Sequence, residues 1–184
     1  MSRTFSLAVV ASVFAGCSTY AAGTYAASAD DVAELRGMSA TTISVGGFTS
    51  TKPGQSEVTC RGAGPVKAPG GEPFSEYVRG ALVEELTLAG TYAATAPITL
   101  TGKLDSIDFT STSPSSWRLH LTLTSSNGRQ LTTQASYTFK TSYFGERACN
   151  KVAEALAPAV QELIKKTVHA PEIRALVSPD SVRK

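Results

Sequence analysis

Apolar and polar positions alternate without a break in "WRLHLTL", residues 117 to 123. Trp117, Leu119, Leu121 and Leu123 fall on one side, and Arg118, His120 and Thr122 on the other. This period of two predicts a half-buried strand. The next strand repeats it with Leu131, Ala135, Tyr137 and Phe139, after Ser126-Asn127-Gly128. A two-residue Asn-Gly turn would set Leu123 against Thr132, apolar against polar. A three-residue loop with Gly128 left-handed pairs 123 with 131, 119 with 135 and 117 with 137, so parity selects the longer hairpin. Upstream, in "ITLTGKLDSIDF", Ile98, Leu100 and Leu104 share one parity, and Ile107 and Phe109 take the other. That flip predicts a β-bulge at Asp105-Ser106. Thr41 to Phe48, with Ile43 and Val45, predicts a shorter strand.

Elsewhere the period lengthens. From Glu72 to Ala89, the residues Phe74, Tyr77, Val78, Ala81, Leu82, Leu86 and Ala89 recur at helical spacing. Pro73 suits the first helical position, and Gly90 the left-handed cap. A second helix is expected from Glu146 to about His169, with Cys149, Val152, Leu156, Val160, Leu163 and Ile164 on its apolar face. Pro158 should kink or split it, because proline removes a backbone hydrogen bond and crowds the preceding turn. Ile173, Leu176 and Val177 add a short terminal turn. The expected fold class is α+β: two layers in the order β-α-β-β-β-α, a mostly antiparallel sheet with two helices packed on one face. Trp117, Leu119, Leu121, Tyr137, Phe139, Leu82, Leu86, Val160 and Leu163 are the expected core. Residues 49–71, rich in Pro and Gly, read as a long irregular connection.

Neither period describes the beginning of the chain. After Arg3, Phe5 to Ala15 is a run of eleven uncharged residues. A bilayer span needs about 20 apolar residues, whereas an export signal needs ~7–15. Phe14-Ala15-Gly16-Cys17 resembles a bacterial lipobox, with Phe14 where Leu is commoner. The resemblance implies that Cys17 becomes the acylated N-terminus; the alternative is an ordinary cleaved signal with an incidental cysteine. Ser18, in place of an aspartate, points to the periplasmic face of the outer membrane. Thr19 to Ala29 is almost wholly Ala, Ser, Thr, Gly and Tyr and reads as a flexible tether, while Asp30 to Met38 could form a helical turn or two. The expected division is a signal peptide over 1–16, lipidated N-terminus and tether over 17–40, one periplasmic domain over 41–178 and a tail over 179–184.

Charged residues make up 17% of the chain and the formal net charge is +2. With no basic run, neither nucleic acid nor an anionic membrane surface is an obvious partner. With Cys17 acylated, Cys60 and Cys149 remain, and an exported pair reads as a disulfide; two separate buried thiols are the alternative.

Candidate chemistry is sparse. His120 and His169 lack partners at zinc-ligand spacing. There is no Gly-x-Ser-x-Gly elbow and no phosphate-cradling Gly-Lys-Ser/Thr loop. Asp105 and Asp108 could form an acid pair, but with a bulge between them they read as strand-capping or solvated groups. No catalytic residue, metal or cofactor is expected. "GAGPVKAPGGEPF" leads into a helix N-terminus, where Arg61 and Lys67 could help hold an anion; an ordinary loop is the alternative. The Thr-rich sheet face offers Arg118, His120, Thr122, Gln134 and Lys140 as a ligand or partner face, or else is simply solvated.

The lipobox, a tether, a helix ending "AGTY", the Asn-Gly hairpin and "YTFKTSYFGERACNKVAEAL" running into a helix resemble small YajG-like and related proteobacterial lipoproteins. The resemblance covers roughly residues 40 to 177. It implies a non-catalytic envelope protein, lipid-anchored in the outer membrane, acting as a binding or assembly accessory toward another envelope protein. A glycan-, peptidoglycan- or lipid-binding module using the Thr-rich face is the alternative, and a hydrolase a third.

Overall fold

The computed structural model describes residues 19–38 and 42–179. Cys17 and the signal segment lie outside them. Strands β5 (Ile98–Thr110), β6 (Ser115–Ser125) and β7 (Gln130–Phe139) form an antiparallel meander, and β2 (Ile43–Ser50) adds to β5 in parallel, giving the order β2-β5-β6-β7. Helices α2 (Phe74–Ala89) and α3 (Gly145–Val168) pack on the sheet, α2 against β2 and β5, α3 against β6 and β7. The fold is α+β, as the patterning implies.

The register follows from parity. Leu123 pairs with Leu131, Leu119 with Ala135 and Trp117 with Tyr137, while Gly128 closes the three-residue loop at φ +81°. The β5–β6 register slips between Leu104 and Ser106, so Asp105 is the bulged residue. Trp117 is fully buried; its Nε1–H donates to the Val152 carbonyl of α3 at 2.8 Å and its ring lies 4.9 Å from that of Phe109. Tyr137 and Phe139, expected in the core, are only half-buried, because β7 is an edge strand whose outer flank has no neighbouring strand among the described residues. At Gly102 the Phe48 ring lies over the strand: a Cβ there would stand 2.6 Å from it.

Three further expectations are corrected. Pro158 does not split α3, which runs unbroken through it. The carbonyl it deprives of a donor belongs to Glu154, which is exposed and open to water, while Val152, Leu156, Val160 and Leu163 stay buried. Residues 49–71 are not a structureless connection: β3 (Glu57–Cys60) and β4 (Gly64–Lys67) form a hairpin, followed by a 3₁₀ turn over Pro69–Gly71. Disulfide-bonded Cys60 and Cys149, with Cα atoms 5.8 Å apart, hold that hairpin to α3.

Nor are residues 20–38 a tether. Tyr20 and Ala21 form β1, parallel to β4, and Ala29–Met38 form α1, packed on α2 and α3. Tyr20, Ala22, Tyr25 and Leu35 are buried. A segment so poor in aliphatic side chains docks through hydrogen bonds: Ala22 N–H to the Lys67 carbonyl, Tyr77 OH to the Gly23 carbonyl and Gln161 Nε2 to the Ala26 carbonyl. The packed unit thus starts at residue 20, ahead of the expected boundary at 41.

Finally α4 (Ile173–Val177) closes the molecule beside the β6–β7 loop, where Asn127 Nδ2 donates to the carbonyls of Ala175, Leu176 and Ser178.

Candidate functional site

The pleat places Arg118, His120, Thr122 and Gln134 together on the face away from α2 and α3: Arg118 stands opposite Ser136, His120 opposite Gln134, Thr122 opposite Thr132. Arg118 and Gln134 are exposed and His120 half-buried. Much of this surface is bonded to itself. Thr122 Oγ1 donates to Asp105 Oδ2 at 2.7 Å and lies 3.1 Å from Thr132 Oγ1, and Lys103 Nζ stands 3.0 Å from Asp105 Oδ1. Partial burial pushes the Asp105 pKa up, but the Thr122 hydroxyl, the Lys103 ammonium and the nearby His120 outweigh it and hold the carboxyl below its ordinary range. Asp105 is therefore an ionised structural acceptor, unsuited to general acid work. Asp108 pairs in register with Arg118 and lines a small surface pocket together with Asp105.

Arg61 and Lys67 do not form an anion site. Lys67 is paired with Glu57 across the hairpin at 3.0 Å. Arg61, in the β3–β4 turn with φ +48°, spends its guanidinium on backbone carbonyls: Nη1 on Ser142 at 3.3 Å and Tyr143 at 3.2 Å, Nη2 on Ser111, with Nε on Ser111 Oγ at 2.9 Å. It clamps three connections together: the hairpin tip, the β5–β6 loop and the β7–α3 loop.

Beside that clamp lies an open groove of about 800 Å³, lined by Arg61, Pro114, Thr138, Lys140, Thr141 and Tyr143 among others. So Lys140 belongs to this end of the sheet, separate from the Arg118–His120 patch. Two residues that periodicity overlooked stand at the groove's lip: Tyr143, 94% exposed, and Phe144, 64% exposed, with the Arg147 guanidinium 5.5 Å from the Phe144 ring centroid. The available signal was an aromatic pair on no apolar face, between a lysine and an arginine.

A second cluster lies under the N-terminal segment and was equally hidden. Glu85 and Asp31 are fully buried. Glu85 Oε1 accepts from Tyr25 OH at 2.6 Å and from the Ser28 N–H at 2.9 Å, and Asp31 Oδ1 stands 2.9 Å from His169 Nε2. Glu85 Oε2 and Asp31 Oδ2 have no protein partner. Burial raises both carboxyl pKa values, outweighing the lowering effects of Tyr25 and Ser28 on Glu85 and of His169 and Lys165 on Asp31. His169, placed at a helix end by sequence, in fact ties α3 to α1. Among the described residues no three His, Cys, Asp or Glu side chains gather as a metal site, and no helix is long and apolar enough to cross a membrane.

These features define an α+β domain with a four-stranded and a three-stranded sheet (β1-β4-β3), the N-terminal segment being part of the packed unit. In fold it is similar to the crystal structure of a Xanthomonas campestris protein described under the family model DUF330: TM-score 0.52 at 13% identity, over 82% of this chain and 95% of that one. No protein-family model matches the chain, and no curated protein does.

Proposed function

We propose that this is an envelope lipoprotein, YajG-like in organisation, anchored by acylated Cys17 at the periplasmic face of the outer membrane and acting there as a non-catalytic binding or assembly accessory. The observation that carries the reading is the shortness of the link. Tyr20 is already paired with Val66, three residues after the lipobox cysteine. At ~3.3–3.6 Å per residue such a link reaches about 10 Å at full extension. A domain so tied stays at the bilayer surface with one end toward it, which suits presentation to a fixed neighbour better than capture of a distant ligand. The Cys60–Cys149 bridge fits an oxidising compartment.

The test is cross-linking of intact envelopes followed by affinity capture, with Cys17→Ser as the paired control. One envelope protein captured in stoichiometric amount, and lost with Cys17→Ser, is expected. Equal capture by both forms, or capture of none with the protein still at the membrane, would contradict an anchored accessory role. Retention on cell-wall sacculi, abolished by changing Arg118 and His120 together, would select the glycan-binding alternative instead.

A further inference from the structure

Among the described residues, three large apolar side chains are prominently exposed, and two of them, Tyr143 and Phe144, are adjacent. We propose that this pair is a membrane contact: it sits in the headgroup region of the bilayer beside the acyl chains on Cys17, a proposal that rests on the lipidation reading above.

The topology places both at one end of the molecule. β1 runs parallel to β4, with Tyr20 opposite Val66, so the register carries the chain before Tyr20 back toward Pro65 and the β3–β4 hairpin tip. Arg61 in that tip is hydrogen-bonded to the Ser142 and Tyr143 carbonyls, which join the tip to the aromatic pair. The described chain therefore begins on the side of the domain where Tyr143 and Phe144 protrude, with Cys17 at most about 10 Å beyond Tyr20. A bilayer holding the acyl chains comes within reach of the aromatic pair.

The chemistry of the patch suits that neighbour. Tyrosine, with an apolar body and a polar tip, is favoured at headgroup level, and phenylalanine serves on the apolar face of interfacial segments. Lys140 and Arg147 flank the pair along the chain and are exposed, as is Glu146, and exposed Arg61 is bonded to the Tyr143 carbonyl. Arg61 joins Lys140 and Arg147 from the β3–β4 turn, so the sequence shows no basic run. The patch thus complements anionic headgroups, and its arginine and lysine stems can reach to them. Arg61 is a positioning residue here: it holds the β7–α3 loop in place through its carbonyls.

The opposite end supplies a control. β5 spans thirteen residues from Ile98 to Thr110, about 40 Å of strand. Ser111, bonded to Arg61, marks one end; the other holds Ile98, paired with Ile43, whose N–H bonds to Thr91 just past α2. The third exposed apolar side chain, Leu88 at 55%, lies in the last turn of α2 at that far end.

The experiment uses the full acylated protein reconstituted in phosphatidylethanolamine–phosphatidylglycerol vesicles with lipids brominated along the acyl chain. Tyr143→Trp and Leu88→Trp are compared, and the buried Trp117 signal is subtracted using the unsubstituted protein. Unchanged thermal melts verify folding, and mass spectrometry verifies acylation of Cys17. Expected is several-fold stronger quenching for Tyr143→Trp than for Leu88→Trp, with lipids brominated near the interface quenching most, and weakening when Lys140 and Arg147 are changed to Glu. Equal quenching at both positions, or none at 143 in an acylated protein, would overturn the contact and leave the anchor standing. An unacylated Cys17 would overturn the anchoring reading, and this one with it.

Discussion

Trp117 shows how one residue joins sheet and helix: fully buried, its ring tilted against that of Phe109 and its N–H bonded to a carbonyl of α3. Trp117→Ala should cost roughly 3–5 kcal/mol, from lost burial and the cavity left behind. Urea titration would check it, a cost near zero contradicting the packing. Gly102 is the converse case, needed for what it lacks. Gly102→Ala would drive a methyl into the buried Phe48 ring, and should cost about 1–3 kcal/mol. Phe48→Leu in the same chain should recover part of that loss. A double-mutant cycle without coupling would mean that the ring moves aside freely. The alternation at 117–123 made the tryptophan legible in the sequence. The glycine was legible only as a gap in an apolar row, because the ring that fills it comes from β2.

Among the elements, the meander and the two long helices were readable because each buries one continuous face with a fixed period. β1 was not, and α1 only as a turn or two over Asp30–Met38, because their docking relies on backbone hydrogen bonds and on carboxylates, which leave no periodic trace. Glu85 and Asp31 make that docking depend on pH. Around Glu85 stand Tyr25, the Ser28 N–H, Asp31 and Glu84; around Asp31 stand His169, Lys165, Asp30 and Glu85. Both carboxyls hold their protons to higher pH in the folded state than in the unfolded chain. Their contribution to stability is therefore complete below their ordinary values of 3.8 and 4.5, and is lost as pH rises through the raised ones. Glu85→Gln keeps the acceptor for Tyr25 and removes the titration. It should flatten the decline in stability as pH rises above the ordinary carboxyl value of 4.5. A decline as steep as in the parent chain, measured by thermal melts across that range, would contradict this account of the cluster. The hairpin β3–β4 carries a separate fastening, the disulfide, which closes 89 residues of chain. Its reduction should cost up to ~4–5 kcal/mol and free the Arg61 clamp first. Hydrogen exchange accelerating no more in 57–67 than elsewhere would contradict that local reading.

For the molecule as a whole, the sequence carried two kinds of functional signal and the fold sorts them. Arg118, His120, Thr122 and Gln134 share a sheet face because strand parity requires it, so their grouping was legible. Lys140, Tyr143, Phe144 and Arg147 are neighbours along the chain but follow no period, and only the tertiary structure brings Arg61 from the β3–β4 turn to join them. That end is also where the described chain begins, so the proposed orientation, membrane contact and partner presentation all depend on the proposed lipid anchor at Cys17. The most direct test is mass spectrometry of the N-terminal peptide from protein purified out of bacterial membranes. A mature chain beginning at Cys17 and carrying acyl chains on that residue is the result expected. A chain beginning elsewhere, or an unmodified Cys17, would contradict the account.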